Sequence, residues 1–113
     1  MPEYKFQVEF LEEAACFLET LDEKSRAKII YNIWKARSCN DNELFKKIQG
    51  EIWEFRTIYN KTYYRLLAFW DKSNNTNTIV IATHGFIKKT DKTPLNEISH
   101  AESLRIKYFK EKG

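Results

Sequence analysis

The sequence is poor in cysteine and has no long apolar run. Its two cysteines, Cys16 and Cys39, share no metal-ligand spacing with the two histidines. We therefore expect two reduced thiols, and neither a disulfide framework nor a zinc site. No apolar stretch approaches the roughly 20 residues that a membrane helix needs, so we expect no membrane span.

The start of the chain also lacks the pattern of an export signal. Residues 1–5 are not a basic region followed by an apolar one, and we expect a cytoplasmic protein. The 113 residues fit a single domain that spans the whole chain. A hydrophobic content of 42 % and a charged content of 31 % are typical of a globular protein and not of a disordered one.

Positive charge is concentrated in the middle of the chain. Residues 44–92 contain nine Lys and Arg against four Asp and Glu, whereas residues 1–43 contain six against nine. The net charge of +3 therefore hides a polarised molecule. Such a polarity predicts a polyanionic partner, most simply a nucleic acid.

The first half of the chain predicts one strand and two helices. Residues 3–10 alternate apolar and polar side chains, which is typical of a strand with one wet face. Two apolar stripes at helical spacing follow, and Asp22 is placed to cap the second helix, which should end near Arg37. Residues 44–48 are interpreted as a helical turn.

The second half changes to a period of two. Residues 52–59 and 62–70 predict two strands of a hairpin whose turn is Asn60-Lys61. Residues 78–83 predict a strand that is covered on both faces. Thr93-Pro94 marks the start of a final helix, with Thr93 as the N-cap.

These elements predict an α+β fold in the order β-α-α-β-β-β-α. An antiparallel sheet of three or four strands should carry the N-terminal helical hairpin on one face, with a C-terminal helix added. The Asn60-Lys61 turn places Arg56 opposite Arg65, so both arginines can reach one site. Trp34, Trp53 and Trp70 are interpreted as core residues.

Three runs of residues carry a family resemblance. They are Lys46-Lys47-Ile48-x-Gly50-x-Ile52-Trp53-Glu54-Phe55-Arg56, then Tyr64-Arg65, and then His84-x-Phe86-x-Lys88-Lys89-Thr90-x-Lys92-Thr93-Pro94. Together with the order of elements, they resemble the RelE/ParE superfamily of bacterial toxins, in particular the HigB-like, phage-derived group of type II toxin-antitoxin systems.

The resemblance implies a function and partners. The expectation is a small RNase-like fold that cleaves messenger RNA on the ribosome, uses no metal or other cofactor, inhibits translation and binds a neutralising antitoxin, a small helix-turn-helix protein. A ParE-like inhibitor of DNA gyrase and a catalytically silent nucleic-acid-binding module are alternatives on the same fold. The better-known members use a C-terminal tyrosine near the scissile phosphate, but Tyr108 falls at core spacing on the last helix and is not given that role.

The chemistry of RNA cleavage suggests the catalytic residues. The 2′-hydroxyl must be activated, the charge of the attacked phosphate neutralised, and the leaving 5′-oxygen protonated. Guanidinium groups grip two phosphate oxygens and ammonium groups add point charges, so Arg56, Arg65, Lys88 and Lys89 are predicted to hold the phosphate. His84, beside the basic end of a strand, is predicted to move a proton.

Further lysines are predicted to bind RNA. Lys46, Lys47 and Lys92 are expected to contact ribosomal or messenger RNA. Simpler interpretations stay open: Arg56 can pair with Glu54 two residues away, His84 can cap the strand end through a hydrogen bond, and the lysines can serve solubility alone.

Overall fold

The computed structural model describes residues 5–73, 78–90 and 92–112. Within these ranges the chain forms five strands and three helices, in the order β1 (Gln7–Phe10), α1 (Glu12–Glu19), α2 (Glu23–Ala36), β2 (Phe45–Gln49), β3 (Ile52–Tyr59), β4 (Thr62–Asp71), β5 (Ile79–Lys88) and α3 (Leu95–Lys112). None of these helices is long and apolar enough to cross a membrane.

The five described strands form one mixed sheet in the order β1-β5-β4-β3-β2. β1 runs parallel to β5, and the other three pairs are antiparallel. The α+β class is confirmed, but the prediction of a wholly antiparallel sheet of three or four strands is wrong. The parallel edge joins the first and the last of the described strands, and no local sequence pattern indicates such a pairing.

The hairpin of β3 and β4 agrees with the sequence. Asn60 and Lys61 both have positive φ angles, 50° and 63°, so they form a two-residue turn whose twist matches that of the strands. The register that follows places Arg56 directly opposite Arg65, as predicted.

Residues 45–49 form an edge strand and not the predicted helical turn. The reason is aromatic packing across the sheet. Phe45 pairs with Phe55 and stacks on its ring at 4.3 Å between centroids, and it also stacks on Trp53 at 4.9 Å. A helical turn would turn this side chain away from both rings. The order of elements therefore contains one strand more than predicted.

The segment between β5 and α3 also differs from the prediction. β5 continues to Lys88, which lies at the end of a strand and not in a loop. α3 begins at Leu95, and the carbonyl of Pro94 accepts the first helical hydrogen bonds from the amides of Glu97 and Ile98. Pro94, and not Thr93, therefore directly precedes α3, and the hydroxyl of Thr93 donates to the carboxylate of Glu54.

Helices cover both faces of the sheet. α1 and α2 pack on one face over a core that includes Phe55, Leu66 and Val80. α3 packs on the other face over a second core of buried side chains: Ile52, Leu67, Phe69, Ile81, Ile98 and Ala101. Trp53 and Trp70 pack against the first core as predicted, but Trp34 is 42 % exposed and is not a core residue.

The second helix of the helical hairpin, α2, is capped by Asp22 as predicted. The side chain of Asp22 accepts a hydrogen bond of 3.0 Å from the amide of Ser25. Two polar contacts then tie α2 to the sheet: Asn32 donates to the hydroxyl of Thr57 at 3.1 Å, and the Tyr64 hydroxyl donates to Ser25 at 3.2 Å.

The C-terminal end of α3 is held by a buried carboxylate. Asp71 accepts hydrogen bonds from the Tyr108 hydroxyl at 2.6 Å and from Lys112 at 2.5 Å. Burial opposes the charge on Asp71, but the hydrogen bonds from Lys112, Ser73 and Tyr108 outweigh it and lower the pKa of the carboxyl. Tyr108 also packs against Phe69, so its role in the structure is to anchor the helix.

Gly85 permits the close approach of α1 to β5. A Cβ atom at this position would lie 2.3 Å from the ring of Phe17. We therefore predict that Gly85→Ala lowers the free energy of unfolding by about 1–3 kcal/mol, because the ring must move away from the sheet. Chemical denaturation measures the change.

A double-mutant cycle tests the cause. Because Phe17→Ala removes the obstructing ring, Gly85→Ala should cost much less in that background. Gly50→Ala is the matched control: its φ of +54° makes alanine unfavourable, but beyond its two chain neighbours no heavy atom lies within 4 Å of its Cβ position. Gly50→Ala should therefore lower the free energy of unfolding by the same amount in the wild-type and the Phe17→Ala backgrounds. Equal costs of Gly85→Ala in both backgrounds would contradict the packing explanation.

Candidate functional site

α3 covers only part of its face of the sheet and leaves the hairpin end of β3 and β4 open. Strand alternation places Arg56 and Arg65 on the same face as Leu67, which lies under α3. The two arginines form the first row of residues beyond that helix. Ile58, Tyr63 and Lys88 form the next row towards the turn.

A pocket of about 350 Å³ opens among these side chains and is called here the arginine pocket. Its lining residues come from β3, β4, the end of β5 and the residues that follow it: Arg56, Tyr63, Arg65, Lys88, Lys89 and Thr90. The structure thus brings together the four cations that were predicted to hold a phosphate. Four positive charges around one open cavity favour an anionic ligand.

Glu54 lies at the floor of this cationic cluster. Its Oε2 atom is 3.6 Å from Nε of Arg56 and 3.5 Å from Nε of Arg65, and its Oε1 accepts from the hydroxyl of Thr93. The Glu54 side chain is only 3 % exposed. The salt bridge of Arg56 with Glu54, one of the two interpretations of Arg56, is therefore present, and Glu54 pairs with Arg65 as well.

Arg65 is the most deeply buried member of the pocket. Its side chain is 3 % exposed, and one terminal nitrogen donates to the carbonyl of Tyr64 at 3.0 Å. Burial lowers the pKa of the Arg65 guanidinium, and the negative charge of Glu54 acts against that shift. The Nε atoms of both arginines are buried without a hydrogen-bond partner, since the distances to Glu54 exceed those of good hydrogen bonds. The guanidinium groups are therefore incompletely satisfied by the protein.

A second cavity of about 430 Å³, called here the lysine groove, continues from the arginine pocket towards β2. Its charged lining residues are Lys46, Lys47, Glu54, Arg56, Lys88 and Lys92. Arg56 and Lys88 belong to both cavities, so the predicted RNA-binding lysines lie next to the predicted phosphate-binding residues. The two cavities form one cationic surface.

His84 does not join this surface. It is buried beneath α3, and it is not among the residues that line the arginine pocket or the lysine groove. Its Nε2 atom is hydrogen-bonded to Glu97 at 2.9 Å, and its Nδ1 atom lies 3.1 Å from the hydroxyl of Thr83. The structure thus uses the imidazole to hold the first turn of α3 against β5. Among the described residues, no three His, Cys, Asp or Glu side chains come together to form a metal site.

Glu54 and Tyr63 belong to the site, but the sequence did not predict a function for either residue. The sequence pattern indicates only a salt bridge with Arg56 for Glu54 and only a strand position for Tyr63. The alternation of β4 contained the signal for Tyr63, because it places this residue on the same face as Arg65. The contact of Thr93 with Glu54 joins positions 39 residues apart and had no local signal.

A protein-family model described as "Phage derived protein Gp49-like (DUF891)" matches residues 16–105. The chain belongs to this family. The Gp49-like family is phage-derived and is associated with RelE-like toxins. The matched range contains every residue of the arginine pocket and the lysine groove. No curated protein matches the chain.

Replacing Glu54 by glutamine should lower the stability of the protein but strengthen its binding of anions. Glu54→Gln keeps the shape of the side chain and an oxygen for Thr93, but it leaves Arg65 buried without a counter-charge. We predict a loss of about 3–5 kcal/mol in the free energy of unfolding. At the same time pyrophosphate should bind about tenfold more tightly, because a competing negative charge is gone.

Chemical denaturation and calorimetric titration with pyrophosphate measure the two effects. Glu19→Gln, which removes an exposed carboxylate at the end of α1, is the matched control and should change neither quantity. Unchanged or weaker pyrophosphate binding by a folded Glu54→Gln variant would show that Glu54 does not compete for the arginines.

Proposed function

We propose that this protein is the toxin of a type II toxin-antitoxin system and that it cleaves messenger RNA on the ribosome. The observation that carries the proposal is the arginine pocket, in which Arg56, Arg65, Lys88 and Lys89 surround a cavity of about 350 Å³. Membership of the Gp49-like family supports a toxin. The resemblance of residues 84–94 to HigB-like toxins supports that branch of the RelE/ParE superfamily.

The proposed reaction is an internal attack within the RNA chain. The 2′-oxygen forms a bond to phosphorus, and the bond from phosphorus to the 5′-oxygen of the next nucleotide breaks. The products are a 2′,3′-cyclic phosphate and a 5′-hydroxyl, so the proton lost by the 2′-hydroxyl balances the proton gained by the leaving oxygen. No water is consumed in this step.

The pocket residues contribute by charge. Negative charge develops on the phosphate oxygens in the transition state, and fixed donors in a partly buried site stabilise it by roughly 3 kcal/mol each. Arg65 is the strongest candidate because its guanidinium is buried and not fully hydrogen-bonded. His84 is left out of the proposed chemistry, because its ring is buried and both of its nitrogens face protein groups.

The lysine groove supplies the proposed contact with the ribosome. Lys46, Lys47 and Lys92 extend the positive surface beyond the arginine pocket, where a phosphate backbone can follow it. The antitoxin in this proposal is a small helix-turn-helix protein that neutralises the toxin by forming a tight complex with it. Alignment of the messenger RNA by the ribosome would explain why a pocket without a paired acid and base suffices.

Variants of Arg65 test the proposed cleavage. With ribosomes that carry a translated message, Arg65→Ala should reduce the single-turnover cleavage rate at least 100-fold, because the phosphate loses a buried donor. Arg65→Lys should recover only part of the rate, since an ammonium keeps the charge but cannot grip two oxygens. The wild-type protein should cut little RNA in the absence of ribosomes.

The controls separate chemistry from folding and target. Arg105→Ala removes a guanidinium on α3 that pairs with Glu102 outside both cavities, and it should retain the wild-type rate. Circular dichroism checks that each variant is folded, and Arg56→Ala offers a less buried pocket variant. If folded Arg65→Ala and Arg56→Ala variants cleaved at the wild-type rate, the arginine pocket would not be the site of cleavage. Intact transcripts together with broken DNA in expressing cells would point instead to DNA gyrase.

Salt dependence tests the phosphate contacts of the lysines. The double variant Lys88→Ala, Lys89→Ala should bind ribosomes more weakly, and the slope of log affinity against log salt should fall by about 1.4, at about 0.7 per single-stranded phosphate contact. The control pair Lys24→Ala, Lys35→Ala removes the same charge from exposed positions on α2, on the opposite side of the sheet. An unchanged slope in the Lys88, Lys89 variant would count against phosphate contacts at these residues.

A further inference from the structure

Tyr63 is an exposed aromatic residue inside a pocket that is otherwise cationic or polar. Its neighbour Tyr64 points to the opposite face, where it is buried and its hydroxyl donates to Ser25. Tyr63 is 46 % exposed and lines the arginine pocket. The protein core therefore does not account for this ring.

The neighbours of Tyr63 place its ring beside the phosphate-binding residues. On the sheet it lies between Ile58 of β3 and Lys88 of β5. The guanidinium carbon of Arg65 is 5.9 Å from the centre of the Tyr63 ring, a distance within the range of a cation–π contact. The ring belongs to the row next to the arginine pair, about 7 Å along the strand at ~3.4 Å per residue.

Ile58 adds an apolar surface next to the ring. It is 58 % exposed and lies directly opposite Tyr63 in the hairpin. The open end of this face thus combines a flat aromatic ring and an aliphatic side chain with a cluster of positive charges. A ligand that matches both parts has an anionic group and, close to it, a flat apolar ring.

We propose that Tyr63 stacks on a nucleobase of single-stranded RNA whose phosphate lies against Arg56 and Arg65. Bases stack on aromatic side chains because every base presents a π-face, and single strands leave that face accessible. In an RNA duplex the bases are stacked on one another, so Tyr63 selects an unpaired nucleotide. The proposal deepens the function proposed above and rests on RNA being the ligand.

An abasic oligonucleotide separates stacking from charge. The purified protein is titrated at low salt with a short single-stranded oligoribonucleotide and with an abasic oligomer that has the same number of phosphates. Fluorescence anisotropy of an end label reports binding. Tyr63→Ala should weaken binding of the base-containing strand about 5- to 150-fold and should leave binding of the abasic strand unchanged.

Two variants serve as controls. Tyr63→Phe keeps the ring and should retain the affinity for both strands. Tyr31 on α2 is 59 % exposed and has the ammonium of Lys28 over its ring at 5.2 Å, so it matches Tyr63 in exposure and in having a cation nearby. Tyr31 lies on the other side of the sheet, so Tyr31→Ala should change the affinity for neither oligonucleotide.

Each alternative result overturns the inference. If Tyr63→Ala lost affinity equally for the base-containing and the abasic strand, the residue would act through the neighbouring charges. If Tyr63→Ala kept its affinity for both strands, no base would stack here. The same conclusion would follow if the wild-type protein bound the base-containing and the abasic strand equally well. Normal RNA binding by Tyr63→Ala, together with loss of binding to a protein partner, would also overturn the inference.

The outcome is distinguishable from failure of the proposed function. Oligonucleotide binding requires neither ribosomes nor cleavage. The protein could show base-dependent binding that Tyr63→Ala abolishes and yet not cleave messenger RNA. That result would support this inference and contradict the proposed nuclease activity. Ribosome-dependent cleavage without any base-dependent effect of Tyr63 would reject this inference alone.

Discussion

The site depends on one buried carboxylate. Glu54 lies between Arg56 and Arg65 and also accepts the hydroxyl of Thr93. Without a negative charge at this position, the guanidinium of Arg65 would be buried with no counter-ion, which is strongly unfavourable. With it, two arginines can lie side by side on adjacent strands. The contact with Thr93 also attaches the residues before α3 to the same point.

The position of α3 decides which part of the sheet stays open. Its start is held by Thr93 on Glu54 and by Glu97 on His84, and its end by Tyr108 and Lys112 on Asp71. Between these ends the helix buries the second core. These contacts leave the hairpin end of the same face uncovered, and the cationic side chains lie there. The polar contacts that stabilise the helix therefore also define the edge of the arginine pocket.

Much of the site could be predicted because its determinants are local. The Asn60-Lys61 turn has two residues, so the register that places Arg56 opposite Arg65 follows from the turn and from strand alternation. Lys88 and Lys89 both line the arginine pocket, but Lys88 ends a strand and does not lie in the predicted loop. His84 was expected at the basic surface. Its position opposite Leu67 places it on the face that α3 covers, and its hydrogen bond joins it to Glu97, 13 residues away on that helix.

The sequence by itself determined the α+β class, the hairpin and the polarity of charge, because periodicity, turn residues and composition act over a few neighbouring positions. Only the tertiary structure decided that β1 joins β5 in parallel and that Phe45 makes residues 45–49 a strand. The same holds for the pairing of Glu54 with both arginines and for the burial of His84 under α3. These features arise from contacts between distant segments, whose free energy depends on how surfaces pack together and leaves no periodic trace in the chain.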